Sequence, residues 1–495
     1  MSRLIPGRAP PPGVSSIADR IRERRGARGL TPLDQALLHV PPVAEGWNSL
    51  LGAIRTKGSL PGDVRELMIL RVAARNHAAF EWIHHEHVGR AEGLNTTQLW
   101  AIRDTTSLPP PSLLSPLQAA ALAFADHSTV SVRVPTDVTS ALQEQLKPVA
   151  AAGKLDVDDL LVEAAAAVAI YNMVSRFLIS LDVAGKSNDL VPWPVDRTEH
   201  KVPIGSDHLH AVTLVSHPDA PWLVFANSLL TDETMWDWLI PFVLAPTTPT
   251  TWPFKGTYNI LLHAQRGHGR SSTTAEACTM TTLAHDIALL ISTLVPSGKV
   301  KSVIGVSQGG AATLTFGALH PSLTASVVAC DTGPRTAPGN VEAWQGRIAL
   351  AKADGMAALA TATVDRWFPA PSKCGTGGML GPRTEAVKRM IEATTIPGFE
   401  LGAGALMAYD LIKPLAEDGV DLLNTGGQVK TLLVAGELDG GGKVGAGMKA
   451  LSEKWNEATP AAKVHYVEIP GAGHLPMVDE TEKFWDVVGA FLNTV

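Results

Sequence analysis

Apolar positions along this chain follow two different periods. From about residue 30 to residue 185 they recur at helical spacing. Val64 to Ala79 carries Leu67, Leu70 and Ala74 on one face, and Leu117 to Phe124 and Leu160 to Leu178 read the same way. Thr31-Pro32-Leu33-Asp34 supplies a helix start: a capping hydroxyl, a proline in the first turn and an acid near the positive end of the helix. The alanine-rich EAAAAVA within Leu160 to Leu178 favours close helix packing. Prolines at 109–111 and at Pro135 punctuate these helices. Beyond residue 190 the pattern changes. Short, nearly continuous apolar runs lie at 222–226, 258–262, 300–305, 325–329, 431–435 and 464–469, with helical patterns between them. Such runs predict strands of a parallel sheet buried on both faces. Pro192 and Pro194 mark the expected link. The pattern therefore predicts an all-α domain over 1–190 and an α/β domain over 191–495.

Composition narrows the function. The chain has 495 residues, 41 Lys+Arg against 48 Asp+Glu and a net charge of −7, which argues against nucleic-acid binding. Three scattered cysteines, Cys278, Cys330 and Cys374, exclude a disulfide framework, and the absence of Cys-x-x-Cys excludes dithiol redox chemistry. The first residues lack the apolar core of a secretory signal. The most apolar run, Leu160 to Ile170, holds Glu163 and falls short of the roughly 20 residues a bilayer needs. A cytoplasmic protein without membrane or nucleic-acid partners is the expectation.

The strongest chemical signal is Gly305-Val306-Ser307-Gln308-Gly309-Gly310, after an apolar run and before a helical stretch. A strand, a Gly-x-Ser-x-Gly turn and a helix form a nucleophile elbow, which lifts the serine to the positive end of the helix. Serine needs a base to take its proton. His474 follows the run at 464–469, and Asp439 follows the run at 431–435, so Asp439 would orient His474 and His474 would activate Ser307. Glu437 is the other candidate acid. The backbone N–H groups of Leu229, after the run at 222–226, and of Gln308 would form the oxyanion hole. In the helical half, Phe80-Glu81-Trp82-Ile83-His84-His85-Glu86-His87 is dense in titratable groups. Glu81 and His85 are four apart and share a helix face, an arrangement suited to proton transfer at carbon. Adjacent residues on a helix diverge and His-Glu-x-x-His is absent, so no metal site is expected.

These motifs carry two resemblances. FANSLLTDETMWDW (225–238), RGHGRSS (266–272), GVSQGG (305–310), GMAALATATVDRWF (355–368) and GAGHLPMVDE (471–480) resemble the 3-oxoadipate enol-lactonases of the α/β-hydrolase family. The resemblance implies an α/β-hydrolase fold with a helical cap at about 335–425, in which Arg366 and Trp367 would meet the substrate. RELMILRVAARNHAAFEWIHHEHVGRAEGLN (65–95) resembles the carboxymuconolactone decarboxylase family. By position, Glu66, Glu81 and His85 would line its site. Together the resemblances imply a bifunctional enzyme that decarboxylates a carboxymuconolactone and hydrolyses the resulting enol-lactone to 3-oxoadipate, with no cofactor. The expected partners are a small lactone or carboxylic-acid substrate and further copies of the chain joined through the helical domain. The alternative is a lactone or ester hydrolase of a specialised metabolite, with the helical domain as an assembly module.

Overall fold

The computed structural model describes residues 4–106, 109, 112–245, 258–411, 429–458 and 464–495. Pro110, Pro111 and the expected end of the cap at 412–425 lie outside the described residues. One compact unit ends at Pro194 and a second begins at Val195.

The first unit is helical: α1 (Ser16–Arg25), α2 (Pro32–Leu37), α3 (Pro41–Thr56), α4 (Gly62–Arg75), α5 (Ala79–Ala91), α6 (Thr96–Arg103), α7 (Pro116–Ser131), α8 (Thr136–Gly153) and α9 (Val157–Ser180). Thr31 caps α2 through a capping box with Asp34. The central helix is α4, buried at every position from Val64 to Ala74. Its buried Arg71 is held bidentate by Asp126 of α7, at 2.6 and 2.8 Å, and donates to the carbonyls of Ile102 and Asp104. A buried guanidinium is tolerated because its donors are met.

The helix expected over Val64 to Ala79 ends at Arg75. His77 turns left-handed (φ 55°), and the Ala78 N–H reaches back to the Ala73 carbonyl at 2.8 Å while the His77 N–H reaches Ala74. This is a Schellman end without the usual glycine, which is why the apolar spacing ran through it. The apolar run expected over Leu160 to Ile170 is part of the 24-residue α9, which by length and composition is apolar enough to cross a membrane. Its Leu160, Ala164, Ala167, Val168 and Tyr171 pack into the core of the helical unit.

The second unit holds one sheet of β1 (Asp196–Ile204), β2 (Asp207–Val215), β3 (Trp222–Ala226), β4 (Asn259–His263), β5 (Val300–Val306), β6 (Thr324–Cys330), β7 (Lys430–Gly436) and β8 (His465–Ile469). The strand order is β1-β2-β4-β3-β5-β6-β7-β8. Strands β3 to β8 are parallel to one another; β2 runs antiparallel to both β1 and β4. Every residue of β3 and β4 is buried, as their continuous apolar runs require. Helices α10 (Ile240–Leu244), α11 (Met280–Leu294) and α12 (Gln308–Leu319) lie in the connections. Between β6 and β7 the chain forms the cap helices α13 (Asn340–Trp367, kinked at Gly355), α14 (Gly381–Ala393) and α15 (Ile396–Ala408).

Candidate functional sites

In the helical unit, α4 and α5 bring Glu66 against His85, whose Nδ1 lies 2.7 Å from Glu66 Oε2. The other ring nitrogen, Nε2, lies 3.3 Å from Arg55 Nη2 and 3.3 Å from the Tyr171 hydroxyl. Arg55 Nε donates to that hydroxyl at 2.6 Å. A guanidinium can only donate, so Nε2 accepts and Nδ1 carries the proton toward Glu66. Burial lowers the proton affinity of His85 despite the pull of Glu66. Burial also works to raise the Glu66 carboxyl, but the His85 hydrogen bond and charge, with Arg65, bring it below its usual range. The pair is thus a carboxylate beside a neutral imidazole. Glu81 differs. It is wholly buried, and one oxygen accepts from Ser175 Oγ at 2.9 Å while Oε1 has no hydrogen-bond partner. Burial raises this carboxyl well above the ordinary range and so favours its protonated form.

Glu66, Glu81 and His85 line one cavity of about 460 Å³, together with Arg24, Arg28 and Arg55. These three arginines form no ion pair among the described residues, so the cavity suits an anion. His84 is exposed and stacks on Phe80 with ring centres 4.1 Å apart. Sequence reasoning missed Arg55, Tyr171 and Ser175. The last two sit four apart on α9 and so share a face, the one local signal available.

In the second unit the elbow residue Ser307 sits between β5 and α12 in a left-handed conformation (φ 56°, ψ −116°). Neighbouring glycines permit it: a Cβ on Gly305 would meet the Gly309 carbonyl oxygen at 2.2 Å, and one on Gly309 would meet that of Ala226 at 2.2 Å. The Ser307 N–H donates to Cys330 O at 2.8 Å and the Gly309 N–H to Asn227 O at 3.0 Å, which pins the turn to β6 and to the end of β3. A non-glycine residue held this way costs about 1–3 kcal/mol and persists because the surroundings dictate it.

His474 follows β8. Its Nδ1 lies 2.7 Å from Asp439 Oδ2, and its backbone N–H donates to Trp367 O at 2.8 Å. The Trp367 ring stacks on the imidazole at 5.3 Å. Glu437, the other candidate acid, is exposed and accepts instead from the Gly471 N–H. Burial works to raise Asp439, but His474, Asp331 and Arg366 bring it below the usual range. Ser307, His474, Asp439, Leu229, Arg366 and Trp367 all line a cavity of about 240 Å³. Among the described residues Ser307 Oγ makes no hydrogen bond to His474; such bonds often tighten only once substrate binds.

Gln308 is buried as the first residue of α12, and its side chain donates to Gly402 O of α15 at 2.6 Å. The Leu229 loop is fixed one residue later: the Leu230 N–H donates to His268 Nε2 at 3.0 Å. Burial lowers His268 to about 4, so it stays neutral and able to accept. His268 was missed as a positioning residue, although RGHG was in plain view. Asp331 was missed too; its carboxyl lies within 4.8 Å of Asp439 and His474.

A strained serine at a strand-to-helix turn, an acid after the next-to-last strand and a histidine after the last are the landmarks of the alpha/beta hydrolases. Residues 223–487 match the model of the alpha/beta hydrolase family, and the chain belongs to that family. Residues 41–109 match the carboxymuconolactone decarboxylase family. The second unit is similar to two proteins of Acinetobacter baylyi. One is 3-oxoadipate enol-lactonase 2, 25% identical over 55% of this chain and 89% of the relative. The other is 3-oxoadipate enol-lactonase 1, 22% identical over 56% of this chain and 90% of the relative. Among solved structures, an enol-lactonase from Burkholderia xenovorans shares 24% identity with a TM-score of 0.48, covering 59% of this chain and all of its own.

Proposed function

We propose that this chain is a bifunctional enzyme that decarboxylates a carboxymuconolactone in its helical unit and hydrolyses the enol-lactone product in its α/β unit. The observation that carries the reading is the presence, in one chain, of two cavities built on unlike machinery. One holds a buried carboxyl beside Arg24, Arg28 and Arg55, which form no ion pair among the described residues; the other holds a serine at an elbow beside a carboxylate-bound imidazole. The product of the first reaction is the substrate of the second.

In the helical unit, Arg55, with Arg24 and Arg28 near the mouth, holds the substrate carboxylates. The carbon–carboxylate bond breaks, carbon dioxide leaves, and the electron pair stays on carbon. The Glu81 carboxyl gives its proton to that carbon and later regains one from solvent. His85 is an anchor here, because both its nitrogens are engaged.

In the α/β unit, Ser307 Oγ attacks the lactone carbonyl as His474 takes its proton. The Leu229 and Gln308 N–H groups hold the oxyanion. The ring C–O bond breaks, and the leaving enol oxygen takes the proton from His474. Water, deprotonated by His474, then releases the acyl group as 3-oxoadipate, and the proton returns to Ser307. Arg366 faces the substrate carboxylate and Trp367 covers it.

A second reading keeps only the hydrolase and makes the helical unit an assembly module joining copies of the chain. Val162 and Met173 favour it, two exposed apolar side chains on α9. Mass spectrometry of products from the purified chain given carboxymuconolactone separates the two. The bifunctional reading expects 3-oxoadipate from the native chain, enol-lactone from Ser307→Ala and untouched substrate from Glu81→Gln. No turnover by the native chain would defeat it.

A further inference from the structure

Among the buried acids of the α/β unit that the mechanism above does not use, Asp331 lies beside the triad. Asp331 follows β6, is 3% exposed, and takes a left-handed backbone (φ 46°). Its N–H donates to Val434 O at 2.9 Å, and its Oδ1 accepts from the Gly436 N–H at 2.8 Å, so its side chain has little freedom to turn. Oδ2 is buried with no donor to satisfy it. The neighbouring carboxyl is that of Asp439, and ligating atoms of Asp331, Asp439 and His474 all lie within 4.8 Å of one another. Two carboxylates this close in a dry site cannot both ionise cheaply, and a buried oxygen without a donor is costly. One proton placed between them removes both costs.

We propose that Asp331 is a positioning residue of the hydrolase site, whose carboxyl donates a hydrogen bond to Asp439 and so fixes the oxygen that faces His474. The proposal rests on the triad reading. The surrounding charges decide which acid keeps the proton. His474 and Arg366 favour the anion at Asp439. Burial first, then the charge of Asp439, hold Asp331 neutral. The other titratable neighbours, Cys330 on β6 and Tyr466 on β8, are themselves pushed up by burial, Tyr466 also by Glu468, and supply no positive charge to it. The result is a chain of three: a neutral acid, a carboxylate and an imidazole.

The test follows the imidazole directly, without turnover. The full chain is labelled with ¹⁵N-histidine, and the downfield Nδ1–H signal of His474, assigned by its loss in His474→Gln, is titrated by NMR. Asp331→Asn keeps a neutral donor, and its titration midpoint stays with the native one. Asp331→Ala removes the donor, leaves Asp439 more basic, and moves the midpoint up by about one pH unit, a tenfold tighter hold on the proton. A midpoint in Asp331→Ala equal to the native one overturns the proposal, as does an Asp331→Asn midpoint displaced as far as the alanine one. Should Asp331→Ala fail to fold, the alkaline limb decides. Ionisation of Asp331 adds charge beside Asp439 and strengthens its hold on the Nδ1 proton, so the native signal moves further downfield there while that of Asp331→Asn does not; coincident limbs overturn the proposal. Failure of the triad reading would show elsewhere, as lactone hydrolysis that survives Ser307→Ala.

Discussion

Two cavities in this chain are each built on a carboxylate and an imidazole at the same distance, 2.7 Å from Glu66 to His85 and 2.7 Å from Asp439 to His474. What faces the far ring nitrogen separates them. In the helical unit Nε2 of His85 meets the Arg55 guanidinium and the Tyr171 hydroxyl, groups that occupy its lone pair. In the α/β unit His474 faces an open cavity that Ser307 also lines. An occupied nitrogen makes the imidazole a strut, while an open one leaves it a base. On the proposed reading, proton chemistry in the helical unit then falls to Glu81. A carboxylate–histidine pair on its own therefore says little about mechanism; its third neighbour decides.

Four experiments can break or sharpen this contrast. The largest effect belongs to Ser307→Ala, which is expected to lower enol-lactone hydrolysis by about 10⁴-fold or more while leaving carbon dioxide release from carboxymuconolactone within about twofold. Coupled spectrophotometric assays of both steps would check it, and equal loss of both would erase the separation of roles. Next, Glu81→Gln is expected to slow carbon dioxide release by about 10²- to 10⁴-fold and to spare the hydrolysis. Arg55→Met should then raise the KM for carboxymuconolactone by about tenfold, through loss of a charge-assisted bond. Because Arg55 holds down the proton affinity of His85, the acid limb of that variant's pH–rate profile should also move to higher pH.

The smallest effect is on stability. The folded chain keeps Glu81 neutral, whereas the unfolded chain ionises it above about pH 4.5. The native carboxyl therefore costs increasing stability as pH rises from there toward its raised folded value. Glu81→Gln should melt about 3 °C higher than the native chain at pH 8 and at the same temperature at pH 4, by calorimetry of the helical transition. A difference that does not grow with pH would mean that Glu81 is ionised in the fold.

Much of this architecture was legible because burial leaves a local mark. Strands β3 to β7 lie on ground buried from both sides, and their apolar runs, like that of the more exposed β8, placed them to within a residue or two. β1 escaped because most of it is exposed, so DRTEHKVPI carries no apolar run; β2 is mostly buried, but His208, His210 and Thr213 break its apolar run. The hydrolase site was readable because its members sit in short motifs at strand ends. The companions of those residues were not. Arg55 and Tyr171 reach His85 from α3 and α9, and Asp331 reaches Asp439 from a neighbouring strand end; only tertiary packing joins them. Chemistry that depends on who the neighbour is cannot be read from a run of letters, even where the central pair can.

The short link between α4 and α5 has a consequence for variation among sequences of this kind. Glu66 stands on one side of it and Glu81 and His85 on the other, and a single left-handed histidine, His77, sets the angle at which the chain doubles back. One residue inserted there would swing the second helix by about 100° about its axis. The carboxyl and the imidazole would then face away from their partner while each helix stayed intact. A length change at this bend would thus silence the pocket without unfolding the bundle, so spacing across 76–78 is a simple sorting key between active and inert versions of the helical unit.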